Sequence, residues 1–284
     1  MPNLIKAIIA DVDGVMVGRS QGVNFPLPHD DVIKALRKVA RAGTPIVLCS
    51  AKFRAAIDGI IVQASLDNPH ITDGGALIIN PLGKPKIIEQ NIINKATVLE
   101  YLLNDNAHTE LYTATNCYMK KDDDTEFMNL RSQMLQTKPI FVDSLVDVAK
   151  KVDTIKLISV ANNPEDVPRI EAQVKRLGPK VHYIRSHHPR IVPRVPCIMT
   201  APGISKEHAA RKVMESLGLP FDAVLGIGDS PADWSFMKLC GYAATVGDDQ
   251  EIRQKVESKG EGHYFHATSV DDHGLLAIFE YFGL

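Results

Sequence analysis

Apolar residues in this chain follow two alternating rhythms. Leu4 to Ala10 is a short, nearly continuous apolar run of the kind a strand buried on both faces requires, and from Asp30 to Ala42 the residues Val32, Ile33, Leu36 and Val39 recur at helical spacing before Gly43 stops the pattern. Ile46 to Cys49 is apolar again. Strand, helix and strand in that order predict a βαβ unit, because parallel strands need a crossover to be joined. A further helix is expected over Ala51 to Ala64, and a strand over Ala76 to Ile79 after the turn Asp73-Gly74-Gly75.

Between Gly83 and Arg190 the pattern changes. Helices are expected over Ile93 to Leu103 and Val167 to Leu177, and strands over Leu111 to Lys120 and Thr154 to Ala161, which suits a separate α+β unit. From Val195 onward the first pattern resumes, with a helix over Lys206 to Leu217, a strand over Ala223 to Ile227 and an apolar segment over Ala243 to Val246. We therefore expect an α/β domain with a parallel sheet, residues 1–82 plus 191–284, interrupted by an inserted domain, residues 83–190. A chain of 284 residues is long enough for two domains.

Composition narrows the function classes. With 45% hydrophobic and 23% charged residues and a formal net charge of −2, the chain offers no electrostatic reason to expect nucleic acid or an acidic membrane as partner. Cys49, Cys117, Cys197 and Cys240 lack metal-binding or disulfide-framework spacing. They read as free thiols in a reducing compartment. No apolar run reaches the length of a membrane span and the acidic motif comes too early for a signal peptide, so a cytoplasmic protein acting on a small molecule is expected.

The chemistry gathers where the predicted strands end. Asp11 and Asp13, in Asp11-Val12-Asp13-Gly14, follow the first strand, and Gly14 permits the turn that lets both carboxylates face one point. Ligands of open α/β sheets bind at these carboxyl ends. Alone, the motif is equally compatible with an ordinary turn, whereas a calcium loop is excluded by Val15 and Met16. Ser50 ends the second strand, as a phosphate-binding hydroxyl or a helix N-cap. Asp229 and Asp233 follow the strand Ala223 to Ile227, and Lys206 opens a helix, where its charge opposes the helix dipole unless an anion is near. His29, His70, His108 and His263 sit near turns and are expected at the surface, and Asp122-Asp123-Asp124 is expected at a solvated hairpin tip.

Taken together, Asp11-Val12-Asp13-Gly14, Ser50, Lys206 and Gly228-Asp229-Ser230-Pro231-Ala232-Asp233 stand in the order and strand context of the four motifs of the haloacid dehalogenase superfamily. The resemblance covers nearly the whole chain. The insertion between Ser50 and Lys206 resembles the Cof-type subgroup, subclass IIB, with a C2B cap on a Rossmann-like core. Cys49-Ser50-Ala51-Lys52 departs from the Thr-Gly-Arg common there and is closer to the Ser-Ser-Lys of mannosyl-3-phosphoglycerate phosphatases; Ala232 stands where the family usually has Asn.

The resemblance implies a Mg²⁺-dependent phosphatase of a small phosphorylated metabolite, a sugar phosphate or glycosyl phosphoglycerate. In that reading Asp11 is the nucleophile and Asp13 the general acid and base. Mg²⁺ is held by Asp11, the Asp13 carbonyl, Asp229 and Asp233, and the phosphoryl oxygens by Ser50 and Lys206. Tyr118, Lys120, Arg185, His187, His188 and Arg190 are the candidates for substrate recognition in the cap. The same scaffold also accommodates a phosphosugar mutase or a ligand-binding module without turnover. Monomer and homodimer both remain open.

Overall fold

The computed structural model describes residues 5–105, 107–121, 124–186 and 190–284. The chain begins with β1 (Ala7–Ala10), α1 (Asp30–Arg41), β2 (Ile46–Leu48), α2 (Arg54–Ala64), β3 (His70–Thr72), β4 (Leu77–Ile79) and β5 (Ile87–Gln90). Next come α3 (Lys95–Leu102), β6 (His108–Tyr112), β7 (Cys117–Met119), α4 (Thr125–Leu135), β8 (Ile140–Phe141) and α5 (Leu145–Ala149). They are followed by β9 (Lys156–Ala161), α6 (Val167–Leu177), β10 (His182–Arg185) and β11 (Val195–Thr200). The last part holds α7 (Lys206–Leu217), β12 (Val224–Gly228), α8 (Trp234–Met237), β13 (Tyr242–Val246), α9 (Gln250–Glu257), β14 (Tyr264–Ala267) and α10 (Gly274–Tyr281).

Two compact units result. The first comprises Met1–Ala51, Ile57–Ile88 and Lys206–Leu284, and the second Lys52–Ala56 and Glu89–Ser205. In the first, a five-stranded parallel sheet runs in the order β14-β13-β12-β1-β2. Its strands are apolar because both faces are covered: Ile8, Ile9, Val47, Leu225 and Ile227 have no exposed surface. α1 shows the opposite logic, burying Val32, Ile33, Leu36 and Val39 along one stripe, with Asp30 and Asp31 in its first turn and Lys38 and Arg41 in its last, as the helix dipole favours.

The second unit is built on a six-stranded sheet, β10-β11-β9-β6-β7-β8, antiparallel except for the β7/β8 pair. Leu111 to Lys120, read as one strand from the sequence, is a hairpin: β6 and β7 are joined at Thr113–Asn116, where Thr113 N–H bonds to Asn116 C=O and the Thr113 hydroxyl accepts from Thr115 and Asn116 N–H. Threonine earns its β propensity on a pleated surface and here supplies a turn. Asp124, expected at a hairpin tip, instead caps α4 by accepting the Phe127 N–H; Asp122 and Asp123 lie outside the described residues. Among the described residues, no helix is long and apolar enough to cross a membrane.

Candidate active site

The parallel pairing of β1 with β12 places two acidic turns side by side. Ala10 is in register with Ile227, Asp11 N–H donates to Ile227 C=O at 2.9 Å, and Asp11 and Asp229 both follow closely on their strands. After Asp11 the chain turns at once, with Gly14 N–H bonded to Val17 C=O and both Met16 and Val17 N–H bonded to Val12 C=O. Gly14 has φ +74°, and a Cβ there would lie 1.9 Å from Asp229 Oδ2. The glycine is thus required twice, by its backbone and by the carboxylate seated against it.

Asp233 is held most completely. It is 1% exposed; Oδ2 accepts from the Ser230 hydroxyl at 3.0 Å and from Ser230 and Asp229 N–H at 3.3 Å, while Oδ1 takes Lys206 Nζ at 2.7 Å. Lys206, at the start of α7, also lies 3.0 Å from Asp11 Oδ1, so the anion its position called for is present in duplicate. Carboxylate oxygens from Asp11, Asp229 and Asp233 lie within 4.8 Å of one another. Asp13 is half-buried in the turn and Ser50 is 1% exposed at the end of β2.

This crowding sets the ionisation. Burial pushes the Asp11 carboxyl up to about 7, with Lys206 opposing and Asp233 and Asp13 adding to the rise. Asp229 is likewise pushed well above the usual carboxylate range, first by burial and then by Asp233 and Asp11. Lys206 is raised too, for the opposite reason, because its neighbours favour its charged form. Burial would lower it, but Asp11 and Asp233 hold its ammonium well above the ordinary lysine value.

The donor set fits a hard divalent cation. Three carboxylates with converging oxygens are the ligand type that Mg²⁺ takes, and their mutual repulsion is what a cation would relieve. Asp11 Oδ1 is also buried without a hydrogen bond of proper geometry, despite its ion pair with Lys206.

The residues expected to recognise substrate are dispersed. Tyr118 is half-buried on β7, and Arg185 is exposed on β10, with three strands between them in the sheet order. Lys120 lines a cavity of about 430 Å³ with Asp105, His108, Asp143 and Asn162, whereas Arg190 lines a separate one of about 450 Å³ with Glu126, Asn129 and Gln133. His187 and His188 lie outside the described residues.

Other buried polar residues escaped the sequence reading. Glu110, Arg131 and Lys156 are all buried in the second unit, and the visible signal was a charge interrupting apolar strand residues, as in Ile155-Lys156-Leu157-Ile158. His70, expected at the surface, has no exposed surface at all: β3 carries it inward against β2, where both ring nitrogens have backbone partners.

Comparison with known proteins agrees with this geometry. The family profile of haloacid dehalogenase-like hydrolases matches residues 8–259. The phosphoglycolate phosphatase of Methanothermobacter thermautotrophicus is 21% identical over 267 residues, 91% of this chain and 95% of that protein. The phosphoglycolate phosphatase of Staphylothermus marinus is 23% identical over 255 residues, covering 89% and 90%. Among solved structures, a haloacid dehalogenase-like hydrolase from Bacteroides thetaiotaomicron superposes with a TM-score of 0.80 at 18% identity, covering 97% of this chain and 98% of that one. A subclass IIB sugar phosphatase gives 0.76 at 17% identity, covering 98% and 99%. The parallel-sheet core with a further sheet-bearing unit is the fold of these structures.

Proposed function

The chain belongs to the haloacid dehalogenase-like hydrolases, and from that premise we propose that it is a Mg²⁺-dependent phosphatase of small phosphomonoesters. The observation that carries this reading is the cluster of Asp11, Asp229 and Asp233, two of which, Asp11 and Asp233, pair with the Lys206 ammonium. Three clustered carboxylates, two of them paired with one ammonium, leave negative charge that a cation and an electrophilic phosphoryl group together would balance.

In the proposed mechanism Asp11 attacks phosphorus and carries the phosphoryl group as an aspartyl phosphate, dividing hydrolysis into two easier displacements. Asp13, two residues on and half-buried, protonates the departing alkoxide and then takes a proton from the water that attacks the intermediate. Lys206, oriented by Asp233, and the Ser50 hydroxyl hold the phosphoryl oxygens, where preorganised donors stabilise the charge of the transition state. Asp11, the Asp13 carbonyl, Asp229 and Asp233 would hold Mg²⁺. The ion, when bound, neutralises the carboxylates and the phosphoryl oxygens so that the two anions can meet.

Relatives named phosphoglycolate phosphatase and a sugar phosphatase neighbour support a short phosphorylated acid or sugar as substrate. The motif residues grip only the phosphoryl group, so we assign discrimination between leaving groups to the inserted unit. A panel of phosphoglycolate, phosphoglycerates and hexose phosphates assayed with and without Mg²⁺ tests the reading. Phosphate release that needs Mg²⁺ and vanishes in Asp11→Asn is expected; isomerised phosphosugar without free phosphate would instead establish a mutase.

A further inference from the structure

β2 is an edge strand of the core sheet, and Ser50 stands two residues beyond its end. A strand presents backbone hydrogen-bonding groups to each side at every second residue, and on an edge the outer row has no neighbouring strand. Here the outer row is matched group by group from the segment 68–74. Asn68 Nδ2 donates to Ile46 C=O at 3.1 Å, Leu48 N–H donates to His70 Nδ1 at 3.1 Å, and Ser50 N–H donates to Ile71 C=O at 2.9 Å. Gly74 N–H then donates to Ser50 C=O at 3.1 Å.

Of these partners, His70 is the one whose chemistry is committed at both ends. Nδ1 accepts from Leu48 N–H, so the ring proton sits on Nε2, which lies 3.1 Å from Leu66 C=O and donates to it. The ring therefore ties the last residue of β2 to the loop that follows α2. It has no exposed surface, and burial pushes its imidazole down to about 4, which keeps Nδ1 available as an acceptor.

We infer that His70 is a positioning residue for the phosphoryl-binding Ser50: its imidazole takes the Leu48 N–H just before β3 bridges β2 at Cys49 and Ile71, and so fixes the end of β2 from which Ser50 projects. The inference rests on the proposed role of Ser50. It differs from a purely structural role in making phosphate affinity depend on one hydrogen bond, the one to Leu48.

Two isosteres separate the ring's two bonds. Asn places an oxygen near the position of Nδ1 and can accept from Leu48, whereas Gln reaches the position of Nε2 and can serve only Leu66. Calorimetric titration of inorganic phosphate in the presence of Mg²⁺ reads the site without requiring turnover, and Ser50→Ala serves as reference. His70→Gln is expected to weaken phosphate binding about tenfold, approaching Ser50→Ala, while His70→Asn stays within about threefold of wild type. Equal affinity in His70→Gln and wild type, alongside weakened Ser50→Ala, overturns the role of His70 alone. So does equal weakening in both His70 variants, which marks a general structural role. Unchanged affinity in Ser50→Ala overturns the assignment of Ser50, and the inference falls with it.

Discussion

Three carboxylates of the first unit, Asp11, Asp229 and Asp233, crowd one another with the Lys206 ammonium paired to only two, Asp11 and Asp233, whereas in the second unit the Glu110 carboxylate is gripped by Arg131 from Nε at 2.7 Å and Nη2 at 2.5 Å, with the Tyr112 hydroxyl donating as well. Burial acts on both in the same sense, against the charged form. In the second unit the neighbouring guanidinium outweighs it and holds Glu110 well below the usual carboxylate range. In the first unit further carboxylates add to it, and Asp11 rises to about 7. A buried carboxylate whose oxygens are all served is a fastening between α4 and β6. One crowded by its own kind is, on the proposed function, what a cation or an electrophile would relieve, and this is how a fastening and a candidate reactive cluster differ physically.

The two clusters should differ in what removing a member costs. The largest effect expected is on chemistry. Asp11→Asn should lower kcat/KM by roughly 10⁴ or more, equivalent to about 5.5 kcal/mol, while its thermal midpoint stays equal to wild type or rises, because a repelled charge has been deleted. A fall of the midpoint by several degrees would place Asp11 with the fastenings. Conversely, Arg131→Met strands a buried carboxylate and should cost about 3–5 kcal/mol in urea unfolding, with the KM of the folded enzyme unchanged. A cost below about 1 kcal/mol would erase the contrast.

His70 offers a third, uncharged type of buried group and a pH test. Its imidazole is neutral in the fold and is pushed down to about 4, against 6.5 when free. The unfolded chain therefore binds a proton that the fold refuses, so this contribution is complete above pH 6.5 and is lost as the pH falls toward 4, by about 3 kcal/mol. Asp11, which takes up a proton in the fold over the same range, contributes the opposite slope to both proteins, so the test is the difference: the stability of wild type relative to His70→Asn, measured by urea unfolding, should fall by about 3 kcal/mol from pH 6.5 to pH 4. The smallest effect sharpens the reactive side. Mg²⁺ at a hundredfold excess over its dissociation constant should stabilise wild type by about 2.7 kcal/mol, and Asp229→Asn should abolish most of that gain while Arg131→Met retains it.

How far the site could be read beforehand follows from where its information lies. Asp11 and Asp13 share a turn, as do Asp229 and Asp233, and each turn directly follows an apolar run, so local pattern sufficed to find them. The parallel sheet was legible for the same reason: helical and continuous apolar rhythms alternate on either side of the insertion. The hairpin at Thr113–Asn116 was not, because its turn is closed by the Thr113 hydroxyl and a Thr113–Asn116 backbone bond within a stretch that otherwise suits a strand. Nor was the dispersal of Tyr118, Arg185 and Arg190, since cationic and aromatic residues near one another in sequence say nothing about strand order.

His70 shows the limit most clearly. Its neighbours Asn68 and Pro69 suggest a turn at the surface, and the sequence holds no sign that Leu48, twenty-two residues earlier, directs a backbone N–H at its ring. Amino-acid order by itself determined the periodicities, the strand ends and the acidic turns attached to them, because those depend on residues a few positions apart. Tertiary structure decided that Lys206 meets Asp11 and Asp233, that Asp11 resists ionisation while Glu110 does not, and that an imidazole closes the edge of β2. Burial, charge and hydrogen-bond satisfaction are properties of neighbours in space, and only folding chooses those neighbours.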